Sequence, residues 1–312
     1  MSESLQIPVM LEEAVNGLNL KPGALVIDAT VGGGGHAEAI LNATAPNGRL
    51  LAIDWDQDAI GRSQKRLAKY NHPLAPSLRT KEGEAKRVIF KQANYTETKR
   101  IAYEQRFYPV SAVLLDLGVS RDQLKDESRG FSFNTEGPLD MRFSDQGTLT
   151  AREIVNTWPE KSLERIFTEY GEERHAARAA QAIAAARKRA PINTTRELAD
   201  VVVRGAGGRG RYRIHPATRI FQALRIATNG ELENLKRALP ELVSLLAPGG
   251  RMAVLSFHSL EDRIVKFFFR DAARAQAPTI TLVNKKVKKP TRAEALANKP
   301  SRSAKLRIIQ KT

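Results

Sequence analysis

Short apolar runs alternate with helix-period segments over the first third of the chain. The runs at 24–30, 49–54, 88–92 and 111–117 read as strands. Segments 36–43 and 58–70 read as helices, the second with Ala59, Ile60, Leu67 and Ala68 as its apolar positions. Strands separated by helices imply an α/β fold whose parallel sheet is covered on both faces. The alternation stops at 118–147, a stretch rich in Gly, Ser, Asp and Arg with no clear period. From there only helical periodicity remains, at 151–158, 161–170, 172–189 and 195–204, the last opening on the capping-box pattern Thr194-Thr-Arg-Glu197. After His215-Pro216 the alternation resumes. Helices are predicted at 217–227, 231–246 and 259–270, a turn at 247–250 and a strand at 251–257. Two short runs, 279–283 and 305–309, can close as a hairpin around a lysine-rich loop. The pattern predicts a sheet domain over 1–125 and 217–312, interrupted by an all-helical domain over 126–216.

Bulk composition narrows the class. The 312 residues are 42% hydrophobic, enough to bury a full core. No apolar run approaches the roughly 20 residues of a membrane span. The opening Met1-Ser-Glu-Ser-Leu-Gln lacks the layout of a secretion signal, so a cytoplasmic protein with no membrane partner is expected. A net charge of +16 favours a polyanionic partner, of which nucleic acid is the commonest. There is no cysteine, which excludes thiolate metal sites and thiol nucleophiles, and five scattered histidines suggest no metal centre.

The most specific chemistry lies in Val26-Ile-Asp-Ala-Thr-Val-Gly-Gly-Gly-Gly-His36 and Leu50-Leu-Ala-Ile-Asp54. A strand runs into an acid, a glycine-rich turn and a helix, and a second strand ends in a carboxylate suited to ribose hydroxyls. This is the layout of a nucleoside-binding α/β fold. Four consecutive glycines are not the spaced pattern of dinucleotide sites, and Asp28 stands where a pyrophosphate would be repelled. An acidic strand end suits a cationic ligand, which favours S-adenosylmethionine over a nicotinamide dinucleotide. Asp54 is the ribose candidate, or else a cap for the helix that follows. Tyr95, just past the third strand, is a candidate to pack near the adenine.

Asp116 ends the fourth strand in Leu114-Leu-Asp-Leu-Gly-Val-Ser120. Reacting groups in such sheets lie beyond the carboxyl ends of the strands. Methylation of pyrimidine C5 normally uses a thiolate, so the missing cysteine leaves nitrogen or ribose oxygen as the acceptor. A carboxylate that accepts an amino N–H would raise the nitrogen's nucleophilicity, and Asp116 is the candidate catalytic residue.

The chain resembles the bacterial small-subunit ribosomal RNA cytosine-N4 methyltransferases. The resemblance runs from Pro8 to Arg307. It rests on Pro8-Val-Met-Leu-Glu-Glu-Ala-Val, the Asp28 to His36 segment, Asp116-Leu-Gly-Val-Ser120, Arg129-Gly-Phe-Ser-Phe133, Gly137-Pro-Leu-Asp-Met-Arg142 and Tyr170-Gly-Glu-Glu-Arg174. Further matches are His215-Pro-Ala-Thr-Arg219, Phe221-Gln-Ala-Leu-Arg-Ile226, Ser256-Phe-His-Ser-Leu-Glu-Asp-Arg263 and Ser301-Arg-Ser-Ala-Lys305. It implies a Rossmann-like class I S-adenosylmethionine methyltransferase sheet with an inserted helical domain for RNA recognition. It also implies N4-methylation of a cytidine in the decoding region of 16S rRNA. The cofactor contacts it implies fall on Gly34, Gly35, His36, Asp54, Tyr95, Asp116 and Gln123.

The partner expected is small-subunit rRNA in the assembled subunit, with the enzyme a monomer or weak homodimer. Two basic clusters are candidate RNA contacts: Arg204 to Arg213, where arginines alternate with glycines and a tyrosine, and Lys285-Lys-Val-Lys-Lys289, expected in a mobile loop. Phe131, Phe133 and Phe257 are candidates to stack on a base swung out of its helix, with core packing the competing role. His258 is a candidate contact to the base or RNA backbone. The rival functions are methylation of another nucleic-acid amine, a nicotinamide-dependent dehydrogenase, and a non-catalytic assembly factor.

Overall fold

A computed structural model describes residues 8–70, 86–205 and 215–312. The chain forms two compact units, one from residues 1–118 with 232–312 and the other from residues 119–231.

The first unit is built on a seven-stranded sheet of order β3-β2-β1-β4-β5-β7-β6. Its strands are β1 (Leu25–Asp28), β2 (Arg49–Asp54), β3 (Val88–Gln92), β4 (Val110–Asp116), β5 (Leu246–Ser256), β6 (Ile280–Leu282) and β7 (Lys305–Lys311). Strands β1 to β5 are mutually parallel, and β7 and β6 close the sheet antiparallel. The expected hairpin is therefore present. Alternate residues feed opposite cores, as a period of two requires. Ile27, Leu51, Val113 and Val254 bury into one face together with α4 (Thr98–Glu104), α11 (Glu231–Leu245) and α12 (Ser259–Arg274). Val26, Leu50, Ala112 and Ala253 bury into the other with α1 (Leu11–Gly17), α2 (Gly35–Ala43) and α3 (Gln57–Leu67). Both sheet faces are covered, so strands read as continuous apolar runs rather than as alternations.

Strand β5 begins five residues before its predicted start. The register jumps from Val110↔Leu246 to Ala112↔Arg251, so the predicted turn becomes a bulge inside the strand. Gly249 has φ +76°, and a Cβ on Gly250 would lie 2.9 Å from the Ala247 carbonyl oxygen and 3.0 Å from that of Val110. Among the described residues no helix is long and apolar enough to cross a membrane.

The second unit is helical: α5 (Arg121–Lys125), α6 (Ala151–Thr157), α7 (Glu160–Glu169), α8 (Ala176–Arg187), α9 (Thr195–Gly205) and α10 (Ala217–Asn229). Phe167, Leu163, Ile183 and Leu198 lie at its centre. Its boundaries fall at 118/119 and 231/232 rather than at the expected 125/126 and 216/217. The reason is α10, whose Ala217, Ile220, Phe221 and Leu224 join the helical core. Arg219 Nη1 donates to the Glu172 carbonyl (2.8 Å) and Gln222 Nε2 to that of Tyr170 (2.9 Å). The Tyr170–Arg174 motif is thus a docking loop for α10.

Two other motifs interlock in this unit. Gly130 has φ +68°, and a Cβ there would sit 1.9 Å from the Pro138 carbonyl oxygen. Asp140 receives two Arg142 guanidinium bonds, at 2.8 and 2.7 Å, which hold its carboxyl below the usual range. Gly130→Ala is expected to cost about 3 kcal/mol or more, from the left-handed backbone and the clash together. Urea unfolding followed by tryptophan fluorescence checks this; an unchanged midpoint would disprove the interlock.

Candidate active site

The sheet order reverses at β1, which lies between β2 and β4. Ligands in open α/β sheets bind beyond the carboxyl ends of the strands at such a point. Three acids end three adjacent strands there: Asp54 on β2, Asp28 on β1 and Asp116 on β4.

The glycine-rich turn wraps the end of β1. Gly32 (φ +52°) and Gly34 (φ +79°) adopt left-handed backbone that a side chain would strain. Gly34 is the residue preceding α2, and a Cβ on Gly35 would meet Pro8 Cγ at 2.2 Å. Pro8-Val9 lies against the turn, and His36 Nε2 is 3.1 Å from the Val9 carbonyl oxygen. That contact explains why the Pro8 segment belongs with the glycine motif.

Asp54 binds the turn. Its Oδ2 accepts from Gly32 N–H (2.8 Å) and its Oδ1 from Asp56 N–H (2.9 Å). The helix cap considered for Asp54 belongs instead to Asp56, which accepts from Asp58 N–H (3.1 Å). Each Asp54 oxygen keeps a further lone pair. Burial pushes its carboxyl up to about 6, against the pull of the two amides.

Asp28 is only 1% exposed. Its Oδ1 accepts from Thr30 N–H (3.2 Å), while its Oδ2 is buried with no hydrogen-bond partner among the described residues. Burial, with Asp54 nearby, raises it to about 7. Asp116 is held by its own N–H donating to Thr30 Oγ1 (2.6 Å). Its side chain is 25% exposed, so a ligand can reach it. Its Oδ1 is another buried atom without a partner, and burial, Asp28 and Glu261 push this carboxyl well above its usual range. Desolvation pushes His36 down to about 4, so its ring is neutral at pH 7. With Nε2–H given to Val9, the lone pair on Nδ1 faces Asp116 Oδ2 at 3.5 Å. With the imidazole uncharged, the contact is not an ion pair. The cluster is short of positive charge.

The structure thus brings Gly34, Gly35, His36, Asp54 and Asp116 to one end of the sheet. Tyr95 follows β3 in a short 3-10 turn (Tyr95–Glu97) and is partly buried against the sheet core. Gln123 belongs to the helical unit, where Ser120 Oγ accepts from its N–H (3.1 Å) and its Oε1 accepts from Ser120 N–H (2.8 Å). It completes a capping box, which the Ser-x-x-Gln spacing could have signalled.

Other residues expected to touch RNA have these neighbours. Phe131 stacks on Phe143 (5.4 Å between centroids) and Phe133 on His215 (4.6 Å), both against the helical core. Phe257 lies 3.4 Å from the position of a Cβ on Gly118. His258 precedes α12, and its Nδ1 is 3.4 Å from Glu261 N. Residues 206–213 of the arginine-glycine cluster lie outside the described residues. Sequence reading missed Glu261. It is buried, and its Oε2 accepts from Phe257 N–H (2.8 Å) and His258 N–H (3.2 Å), which fixes the loop leaving β5. Its place three residues after a helix cap was the available signal.

The profile of the MraW methylase family matches residues 3–312. The chain belongs to the MraW methylase family. It is 45% identical to ribosomal RNA small subunit methyltransferase H of Thermomicrobium roseum, over 97% of this chain and 93% of that one. It is 43% identical to the protein of the same name from Syntrophotalea carbinolica, over 97% and 96%. A solved rRNA methylase from Streptococcus thermophilus aligns over 98% of each chain with a TM-score of 0.45 and 11% identity. The methyl donor of this MraW methylase family member is S-adenosylmethionine. The residues fit it: two carboxyls, each with a buried oxygen that has no hydrogen-bond partner among the described residues, suit an ammonium and a sulfonium.

Proposed function

We propose that the chain methylates the exocyclic N4 of a cytidine in the decoding region of 16S rRNA, in the cytoplasm and on the assembled small subunit. The carrying observation is the uncompensated acid pair Asp28 and Asp116 at the switch point of a methylase sheet. S-adenosylmethionine, when bound, supplies an electrophilic methyl group on a sulfonium.

Positive charge beside Asp116 favours its carboxylate form. The carboxylate then accepts an N–H of the cytidine amine and turns the nitrogen lone pair outward. The amine must lose one proton as its N–C bond forms and the donor's S–C bond breaks to leave a thioether, and Asp116 would take that proton. Thr30 and His36 hold Asp116 in place. Asp54 serves the ribose and Tyr95 the adenine side, while the helical unit, which holds Gln123, is assigned to RNA recognition. The absence of cysteine supports nitrogen over pyrimidine C5.

The test is labelled methyl transfer to purified small subunits and to naked 16S rRNA, followed by nucleoside mass spectrometry. N4-methylcytidine is expected, with subunits the better substrate. Label on another atom, or on neither substrate, would overturn the reading.

A further inference from the structure

The excess positive charge of this chain is unevenly placed. Residues 256–312 carry 14 Lys and Arg against 4 Asp and Glu, a net +10 of the chain's +16. The whole helical unit, 119–231, carries 19 against 15, a net +4. The last fifth of the chain therefore holds most of the surplus, and it lies in the sheet unit.

Where that charge lies follows from strand register. Asp116 pairs with Leu255, Leu255 with Leu306, and Leu306 with Lys288 through an isolated bridge. Asp116 and Lys288 are thus in one row across the sheet, three strand spacings apart, about 14 Å. The lysine segment 285–289 was expected in a mobile loop. It is pinned instead: Lys288 N–H donates to the Leu306 carbonyl (3.1 Å), Leu306 N–H donates back (2.9 Å), and Asn284 Nδ2 donates to Leu306 as well (3.0 Å). Lys285, Lys286, Lys288 and Lys289 are all exposed, and none has a carboxylate partner among the described residues.

A second basic strip lies on α12. Helix α12 leaves β5 at the site end of the sheet and buries Val265 and Phe269. Lys266, Phe267, Arg270 and Arg274 lie at helical spacing on the opposite face. Phe267 is 41% exposed, with the Arg270 guanidinium 4.7 Å from its ring centroid. On the same helix, Asp262 binds Arg307 (2.7 Å) and Lys305 (3.3 Å) of β7.

We infer that lysines 285–289 and the outer face of α12 form a track for the phosphate backbone of unpaired RNA flanking the target nucleotide, with Phe267 as a stacking point for a base. The inference rests on the proposed function. Backbone contacts fix register without reading sequence, and aromatic stacking tolerates any base. A row that reaches the reacting acid within about 14 Å places such contacts two or three nucleotides from the chemistry.

The experiment measures binding of a fluorescent single-stranded RNA oligonucleotide from 50 to 300 mM salt. The variants are K285A/K286A/K288A/K289A, Phe267→Ala, and the control K65A/K236A, each checked for unchanged donor binding and melting temperature. For single strands each lost phosphate contact removes about 0.7 from the slope of log affinity against log salt. The quadruple variant should lose about 2.8 from that slope and at least tenfold in affinity at 100 mM salt. Phe267→Ala should weaken binding with the slope unchanged, and the control should match the parent. Equal slopes in parent and quadruple variant would overturn the track, as would lysine-dependent binding to anionic vesicles without binding to RNA. Methyl transfer to small subunits is measured alongside. Its failure in the parent would count against the proposed function, while the salt slope would still decide the track.

Discussion

Asp116→Asn is expected to lower the single-turnover rate of methyl transfer about a thousandfold, roughly 4 kcal/mol of transition-state stabilisation. Asparagine keeps the shape and the backbone N–H bond to Thr30 Oγ1, so the turn and β4 should stay in place. What it removes is the ability to become an anion beside a cationic ligand and to accept the amine's proton. The buried Oδ1 has no partner and the carboxyl is pushed well up by burial, by Asp28 and by Glu261, so the native acid stores destabilisation in the free enzyme. The variant should therefore melt at the same or a higher temperature than the parent, a gain in stability taken at the cost of function. Donor affinity, by calorimetry, should weaken less than the rate. Parent-like turnover in the variant would remove Asp116 from the chemistry. Loss of rate with a fall in melting temperature would make its role structural.

How much of this was legible varies by element. Strand β2 has the bounds expected, because a strand buried on both faces is a plain apolar run ended by polar residues, and the edge strand β3 has them because Val88-Ile-Phe90 is followed by Lys91 and Gln92. Helix α4 was not read, since Thr98, Ile101 and Ala102 are its only buried positions and give too little period over seven residues. Helix α10 was read as a helix but assigned to the wrong unit. Its apolar stripe says that it packs, not against what, and the deciding bonds from Arg219 and Gln222 span about fifty positions of sequence. At the site, Asp28, Asp54 and Asp116 were visible because each ends an apolar run. Their mutual repulsion and the neutral His36 were not, because both depend on which strands lie side by side. The lysine cluster was obvious in sequence, whereas its alignment with Asp116 exists only through the register of β4, β5 and β7.

Donor binding should tighten as pH rises from 5.5 to 7.5, by about 25-fold from Asp28 alone. In the free enzyme this carboxyl titrates at about 7, whereas a bound ammonium or sulfonium demands the anion. Binding must then expel a proton, and the apparent dissociation constant scales as one plus ten to the power of pKa minus pH. Asp54, at about 6, acts in the same direction at the acid end. Overall stability is a poorer readout, because the folded-state shifts oppose one another. A carboxyl raised from 3.8 to about 7 contributes stability below pH 3.8 that is lost as pH rises through 7. His36, lowered from 6.5 to about 4, contributes stability above 6.5 that is lost as pH falls through 4. Titration calorimetry with S-adenosylhomocysteine separates the effects, since it keeps the ammonium and lacks the sulfonium. Runs at pH 6.5 in buffers of different ionisation enthalpy should show close to one proton released per molecule bound. A dissociation constant flat across this range, with no proton exchanged, would mean that Asp28 is already ionised in the free enzyme and that the acid pair is compensated.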